Sequence, residues 1–169
     1  MIMIFLPLKR NEFIWNKNYK QYPKNKGIIV MDYRVFDNII VARIDKGEEI
    51  LEKMKEIAIK ENVLLANVNA LGATDDFTVG CYDTVEKKYC SNVFHGDHEI
   101  VSLTGTINTM NGEYYSHIHM SAANVKGEVV GGHLNRAIVS VTCEMIITII
   151  NGRVDRKRDE NIGINLFEF

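Results

Sequence analysis

The sequence predicts an α+β fold, mostly antiparallel β-sheet flanked by helices. Three observations carry this. Residues 47–61 place apolar side chains at helical spacing. Elsewhere, runs rich in Val, Ile, Thr and aromatic residues alternate with Gly, Asn and Asp turn formers. Both prolines fall before position 24, so no proline-rich linker divides the chain. The pattern is that of one domain in which at least one helix covers a sheet.

Residues 1–32 read as an N-terminal extension, and residues 33–169 as the domain. "MIMIFLPLKR" is apolar and then basic, which inverts the order of a secretory signal. Met31 is an alternative start. "VFDNIIVARI", Val35 to Ile44, has strand composition. The helix follows. Asp45 is its expected N-cap, with Glu48 three residues on as capping-box partner. Ile50, Met54, Ile57 and Ala58 form its apolar stripe, and Lys53, Lys55 and Lys60 lie mostly off it.

Four short strand-like segments come next: "LLANVNALGA", "DDFTVGCYD", "KKYCSNVFHG" and "HEIVSLTGTINTM". Gly72, Asp75-Asp76, Gly80 and Gly96-Asp97 are the expected breaks between or within them. Asn111-Gly112 is a strong hairpin signal, because both residues accept positive φ. It makes "EIVSLTGTINTM" and "EYYSHIHMSAAN" antiparallel neighbours. "AIVSVTCEMIITII" is long and β-branched and should be a central strand. Asn151-Gly152 is a further turn, and "NIGINLFEF" a final short strand or C-terminal arm.

The chain has 169 residues, 46% apolar and 25% charged, enough for a sizeable core. Formal net charge is -2, not the basic footprint usual in DNA binders. The local basic cluster Arg153, Arg156, Lys157 and Arg158 reads as a solvated turn or tail. Cys81, Cys90 and Cys143 form no C-x-x-C pair and no even framework, which fits a reducing, cytoplasmic setting. Cys143 lies in an apolar strand pattern and reads as core. No apolar run approaches the ~20 residues of a membrane span. Neither a phosphate-binding loop nor a dinucleotide fingerprint is present, and no Ser-His-Asp or Cys-His arrangement can be read.

Chemistry concentrates in "EYYSHIHMSAANVKGEVVGGHL", residues 113 to 134, with three of the five histidines. Side chains alternate along a strand, so His117 and His119 share a face, about 7 Å apart at Cα, while Ile118 faces the other way. Tyr115 shares the histidine face. His133 follows Gly131-Gly132 and is expected at a loop end that folds back over the first two. Three neutral imidazoles with an open fourth position suit zinc or a similar divalent transition metal. Spacing alone leaves a second reading open, that of polar residues hydrogen-bonded in a cleft or subunit interface. His95 and His98 flank Gly96-Asp97 and read as surface residues of a turn. Glu144 interrupts an apolar strand and Glu99 opens another. A carboxylate there faces solvent or meets a cation, a histidine or an arginine.

In this order, "GEEILEKMKEIAIKENV", "ALGATDDFTVGCYD", "HEIVSLTGTI", "NGEYYSHIHMSAANVKGEVVGGHL" and "TCEMIITI" resemble the plants-and-prokaryotes conserved (PPC) domain, over roughly residues 33 to 169. The resemblance implies an antiparallel sheet flanked by helices, a homotrimer, and a three-histidine metal site made of His117, His119 and His133, with zinc the expected ion. It also implies Glu144 as a neighbour of that site. Stand-alone prokaryotic members carry a DNA-binding or regulatory label. Plant members add AT-hooks and contact partner proteins through a segment beginning Gly-Arg-Phe-Glu-Ile. Here the matching residues are Gly96-Asp97-His98-Glu99-Ile100, and no Arg-Gly-Arg-Pro hook occurs. Two function classes result: a DNA-binding regulator, or a metal-dependent enzyme or small-molecule binder using the histidines at a subunit cleft. A third option is a structural metal, or none, in an interaction scaffold.

Overall fold

The computed structural model describes residues 32–169. The extension over residues 1–32 and the alternative start at Met31 therefore lie almost wholly outside the described residues. In chain order the elements are β1 (Asp32–Phe36), β2 (Ile39–Asp45), α1 (Ile50–Lys60), β3 (Ala66–Asp83), β4 (Lys88–Met110), β5 (Glu113–Asn124), β6 (Val129–Ile149), β7 (Asp155–Asp159) and β8 (Ile164–Glu168). The fold is β-dominated. Among the described residues one short helix, not several, flanks the sheet.

All strand pairs are antiparallel. The main sheet runs β1-β2-β6-β3-β4-β5, and β5 also pairs with the start of β6. That extra pairing closes β6-β3-β4-β5 into a ring. The run 129–149 is the central strand the sequence suggested, lengthened at its start. β7 and β8 form a separate two-stranded ribbon.

Two local expectations change. Residues 35–44 are not one strand but the β1–β2 hairpin, because Asp37 takes a positive φ of 50° and reverses the chain. The helix starts later than Asp45. Glu49 is the N-cap: its carboxylate accepts from the Glu52 N–H at 2.6 Å and from the Ala137 N–H at 2.9 Å. Asp45 stays in β2 with its carboxylate on Arg43, while Glu48 accepts from the Asp45 N–H. The cap thus also ties the helix start to β6. The stripe Ile50, Met54, Ile57 and Ala58 is buried as expected.

The four short segments between α1 and Asn111 fuse into two long strands. Gly72 and Asp75-Asp76 are absorbed as register shifts in β3, and Gly96-Asp97 lies within β4. Asn111 and Gly112 both take positive φ (53° and 82°) and join β4 to β5 as the sequence implied.

Register decides which face each side chain takes, since directly paired residues share a face. One row runs Ile40–Ile147–Val68–Gly105–Ile118 and the next Ala42–Met145–Ala70–Leu103–Met120. These rows belong to the buried core. Gly105 is needed at its crossing, where an added Cβ would run into the His117 carbonyl and Ile118. The alternate rows are Ile39–Thr148–Asn67–Thr106–His117 and Val41–Ile146–Asn69–Thr104–His119. They form the open face, where Val41 and Ile146 are exposed.

Candidate metal centre

The open-face rows end on His117 and His119, and the β5–β6 ladder places His133 directly opposite His119. His133 is therefore in a strand and not at a loop end. Its glycines serve close approach, not loop mobility: a Cβ at Gly131 would lie 2.6 Å from the Met120 carbonyl oxygen, and one at Gly132 2.5 Å from that of Gly80. The two strands narrow around small residues and bring the three imidazoles together.

Ring centroids are 5.1 Å apart for His117–His119, 5.1 Å for His117–His133 and 5.5 Å for His119–His133. One ligand nitrogen from each lies within 4.8 Å of the others. The Nε2 atoms of His117 and His119 are 3.2 Å apart. A tetrahedral ion with bonds of about 2.0–2.1 Å separates its nitrogen ligands by roughly 3.3 Å. The residues present therefore fit a metal ion.

Burial and neighbouring charge keep His117 and His133 neutral. Burial, then the charge of Arg156 and the other two histidines, pushes His117 down from 6.5 to about 4. Burial, then His119 and Arg156, lowers His133 as well. Neutral imidazoles offer the lone pairs a cation requires.

Arg156 is the residue that sequence reasoning missed. Its neighbours Arg153, Lys157 and Arg158 are exposed, as a solvated cluster should be, but Arg156 is only 6% exposed. It comes from the β7–β8 ribbon. Its Nε donates to the buried Asn108 Oδ1 at 3.1 Å and its Nη1 to the Asn165 carbonyl at 2.9 Å. Its guanidinium lies over the Phe167 ring (4.3 Å) and the Tyr115 ring (5.0 Å). Nη2 reaches the Nδ1 of His117 at 3.4 Å. Arginine only donates, so in this arrangement Nδ1 accepts and the ring proton sits on Nε2, facing His119. An ion held on Nε2 needs the proton moved to Nδ1, against Arg156. No local pattern marks it, because Asp155–Asp159 is charged throughout and the rings that cover Arg156 come from β5 and β8.

His133 is braced from the other side. The Tyr89 ring meets it edge-on at 6.1 Å, and the Tyr89 hydroxyl donates to Asn135 Oδ1 at 2.7 Å. Gly80 leaves room for that ring, since a Cβ there would lie 2.4 Å from the Tyr89 hydroxyl.

Other sequence candidates lie elsewhere. Glu144 sits eleven residues along β6 from His133, paired with Arg43 and Leu71. At about 3.3 Å per residue it is far from the histidines of its own chain. It lines a separate cleft with Asp32, Arg34, Phe36 and Arg43. His98 packs edge-on against Phe77 at 5.0 Å, and exposed His95 lies 3.5 Å from Asp76. Glu99 is exposed and pairs with Ala73 and Ala123. None of these joins the triad.

No curated protein matches the chain. Several solved structures are similar, among them the following three. A candidate DNA-binding protein from Bacteroides thetaiotaomicron is 25% identical, with a TM-score of 0.80 over 82% of this chain and 97% of that one. A metal-containing protein from Archaeoglobus fulgidus is 28% identical, with a TM-score of 0.74 over 84% and 100%. A plant- and prokaryote-conserved protein from Pyrococcus horikoshii is 26% identical, with a TM-score of 0.71 over 84% and 96%. A family model matches residues 31–151, which hold all three histidines, while the ribbon that supplies Arg156 lies beyond it. The chain belongs to the Plants and Prokaryotes Conserved (PCC) domain family.

Proposed function

We propose that His117, His119 and His133 bind one divalent transition metal, zinc first among them, and that this centre binds or transforms a small molecule. The observation that carries the reading is the convergence of three imidazoles from one strand pair, with nitrogens within 4.8 Å of one another. The metal-containing relative from Archaeoglobus fulgidus supports it. When bound, such an ion supplies a Lewis acid with a position open to ligand. The chain's own part is to hold His117 and His133 neutral and to set a buried guanidinium beside His117. Elemental analysis of untagged protein tests the proposal. About one metal per chain is expected in the wild type and none above background in the His117→Ala, His119→Ala double variant. Equal metal in both sinks it.

The same reading includes a homotrimer in the cytoplasm. The open face, with exposed Ile39, Val41 and Ile146 beside Thr and Asn, supports self-association. Light scattering should return three chains per particle, and a monomer at micromolar concentration removes this part. No helix among the described residues is long and apolar enough to cross a membrane.

A second reading, DNA binding, is favoured by the name of the Bacteroides thetaiotaomicron relative. The net charge of -2 weighs against it, as does the pairing of Lys157 with Glu168 and Arg158 with Glu160. Binding that weakens steeply as salt rises would support it; no binding at low salt rejects it.

A further inference from the structure

We propose that Cys81 and Cys90 form a redox-active thiol pair, converted to an intramolecular disulfide by low-molecular-weight disulfides of the glutathione type. This inference is independent of the metal reading. Eight residues separate the two cysteines in sequence, and no motif marks them. The structure brings them together. The β3–β4 ladder runs to its closing pair Asp83–Lys88, and within it Cys81 stands directly opposite Cys90.

Directly opposed residues of an antiparallel pair share a face, with Cα atoms about 4.5–5.5 Å apart. Disulfides span Cα separations of about 4.4–6.8 Å, so the bridge needs no backbone rearrangement. Both cysteines are free and exposed. On their face of β3, Phe77 and Val79 are buried, and Cys81 is the first residue of that file to emerge into solvent. Cys143 contrasts with the pair: it is fully buried, and burial first, then Glu144, pushes its thiol up to about 12.

The opposite face of the same hairpin carries Tyr82 across from Tyr89. Tyr82 donates to the Ile162 carbonyl at 3.0 Å, in the β7–β8 turn, and Tyr89 holds Asn135 beside His133. A bridge on one face therefore fixes the segment whose other face touches both the histidine site and the ribbon.

The chemistry balances in two exchanges. The thiolate of one cysteine attacks the external disulfide RSSR, forming a mixed disulfide and releasing one thiolate, which is protonated to RSH. The second cysteine's thiolate then attacks the protein sulfur of the mixed disulfide and releases the second RSH. The two cysteines lose two protons and two electrons, and RSSR is reduced to two RSH.

The test is incubation of the full-length protein with reduced and oxidised glutathione in graded ratios. Trapping by alkylation, peptide mapping and intact mass then follow. The wild type should lose two hydrogens and yield a Cys81–Cys90 linked peptide, with Cys143 alkylated only after denaturation. Cys81→Ser and Cys90→Ser should each retain one bound glutathione instead. Half-oxidation of the wild type should need at least roughly tenfold less oxidised glutathione than mixed-disulfide formation in either variant, because the second exchange is intramolecular. Stable glutathione on both cysteines of the wild type, cross-links between chains, or no oxidation where the single variants react would each overturn the proposal.

Discussion

The two faces of one sheet are built from the same strands and differ in what they tolerate. The helix-side face is filled by Ile40, Ile147, Val68 and Ile118, all nearly inaccessible. The opposite face, one residue out of phase, carries Thr106, Thr104, Asn67, Asn69 and then the histidines. Packing fixes the first face; the second carries residues that packing does not require. His117, Ile118 and His119 compress the contrast into three consecutive positions.

Substitutions across that boundary test whether the two faces are distinct. Ile118→Ala should have the largest effect, a loss of about 2–5 kcal/mol in unfolding free energy from an emptied core position. Chemical denaturation measures it, and a loss no larger than that of His119→Ala would mean the faces are not distinct. Arg156→Gln comes next. It removes charge-assisted donors from the buried Asn108, at a cost of about 1–3 kcal/mol. It also removes the cation facing His117 Nδ1, so metal affinity by competition with a chelator should rise roughly tenfold. Weaker metal binding would show that Arg156 supports the site and does not oppose the ion.

A smaller effect is expected from pH. His117 titrates near 4 in the fold against 6.5 ordinarily, and His133 is shifted the same way. Between these values the unfolded chain binds more protons than the folded one, so stability of the metal-free protein rises with pH through roughly 4 to 6.5 and then levels. It is lost as pH falls through that window. Thermal melting across it should show the slope, and His117→Gln should flatten it. Glu144→Gln should do least, with metal content unchanged and stability altered by under about 0.5 kcal/mol. A loss of metal would mean that Glu144 reaches the histidines of a neighbouring subunit.

Local patterns that one element can satisfy were readable in the sequence. The α1 stripe, the Asn111-Gly112 hairpin, the central run of β6 and the shared face of His117 and His119 all depend on residues a few positions apart. What went unread depends on partners far along the chain. Asp75-Asp76 and Gly96-Asp97 look like breaks, but neighbouring strands hold them within β3 and β4 through shifts of register. Gly131-Gly132 looks like a loop until Gly80 and Met120 are seen to press on it. Arg156 looks solvated because the aromatic rings that cover it belong to β5 and β8. The capping-box pattern at Asp45 lost to Glu49, whose carboxylate also serves a strand 88 residues away.

The pairing of His119 with His133 has a kinetic consequence. β5 and β6 are joined by residues 125–128, with the Asn124 side chain accepting from the Lys126 and Glu128 N–H groups. All three histidines thus belong to one local hairpin, whereas the contact of His133 with Gly80 spans 53 residues. Closing a short loop costs little entropy. Loop closure alone therefore lets the imidazoles meet before β3 and β4 complete the ring. On the proposed metal reading, an ion present during refolding would act on the rate of hairpin formation and not only on the stability of the finished sheet.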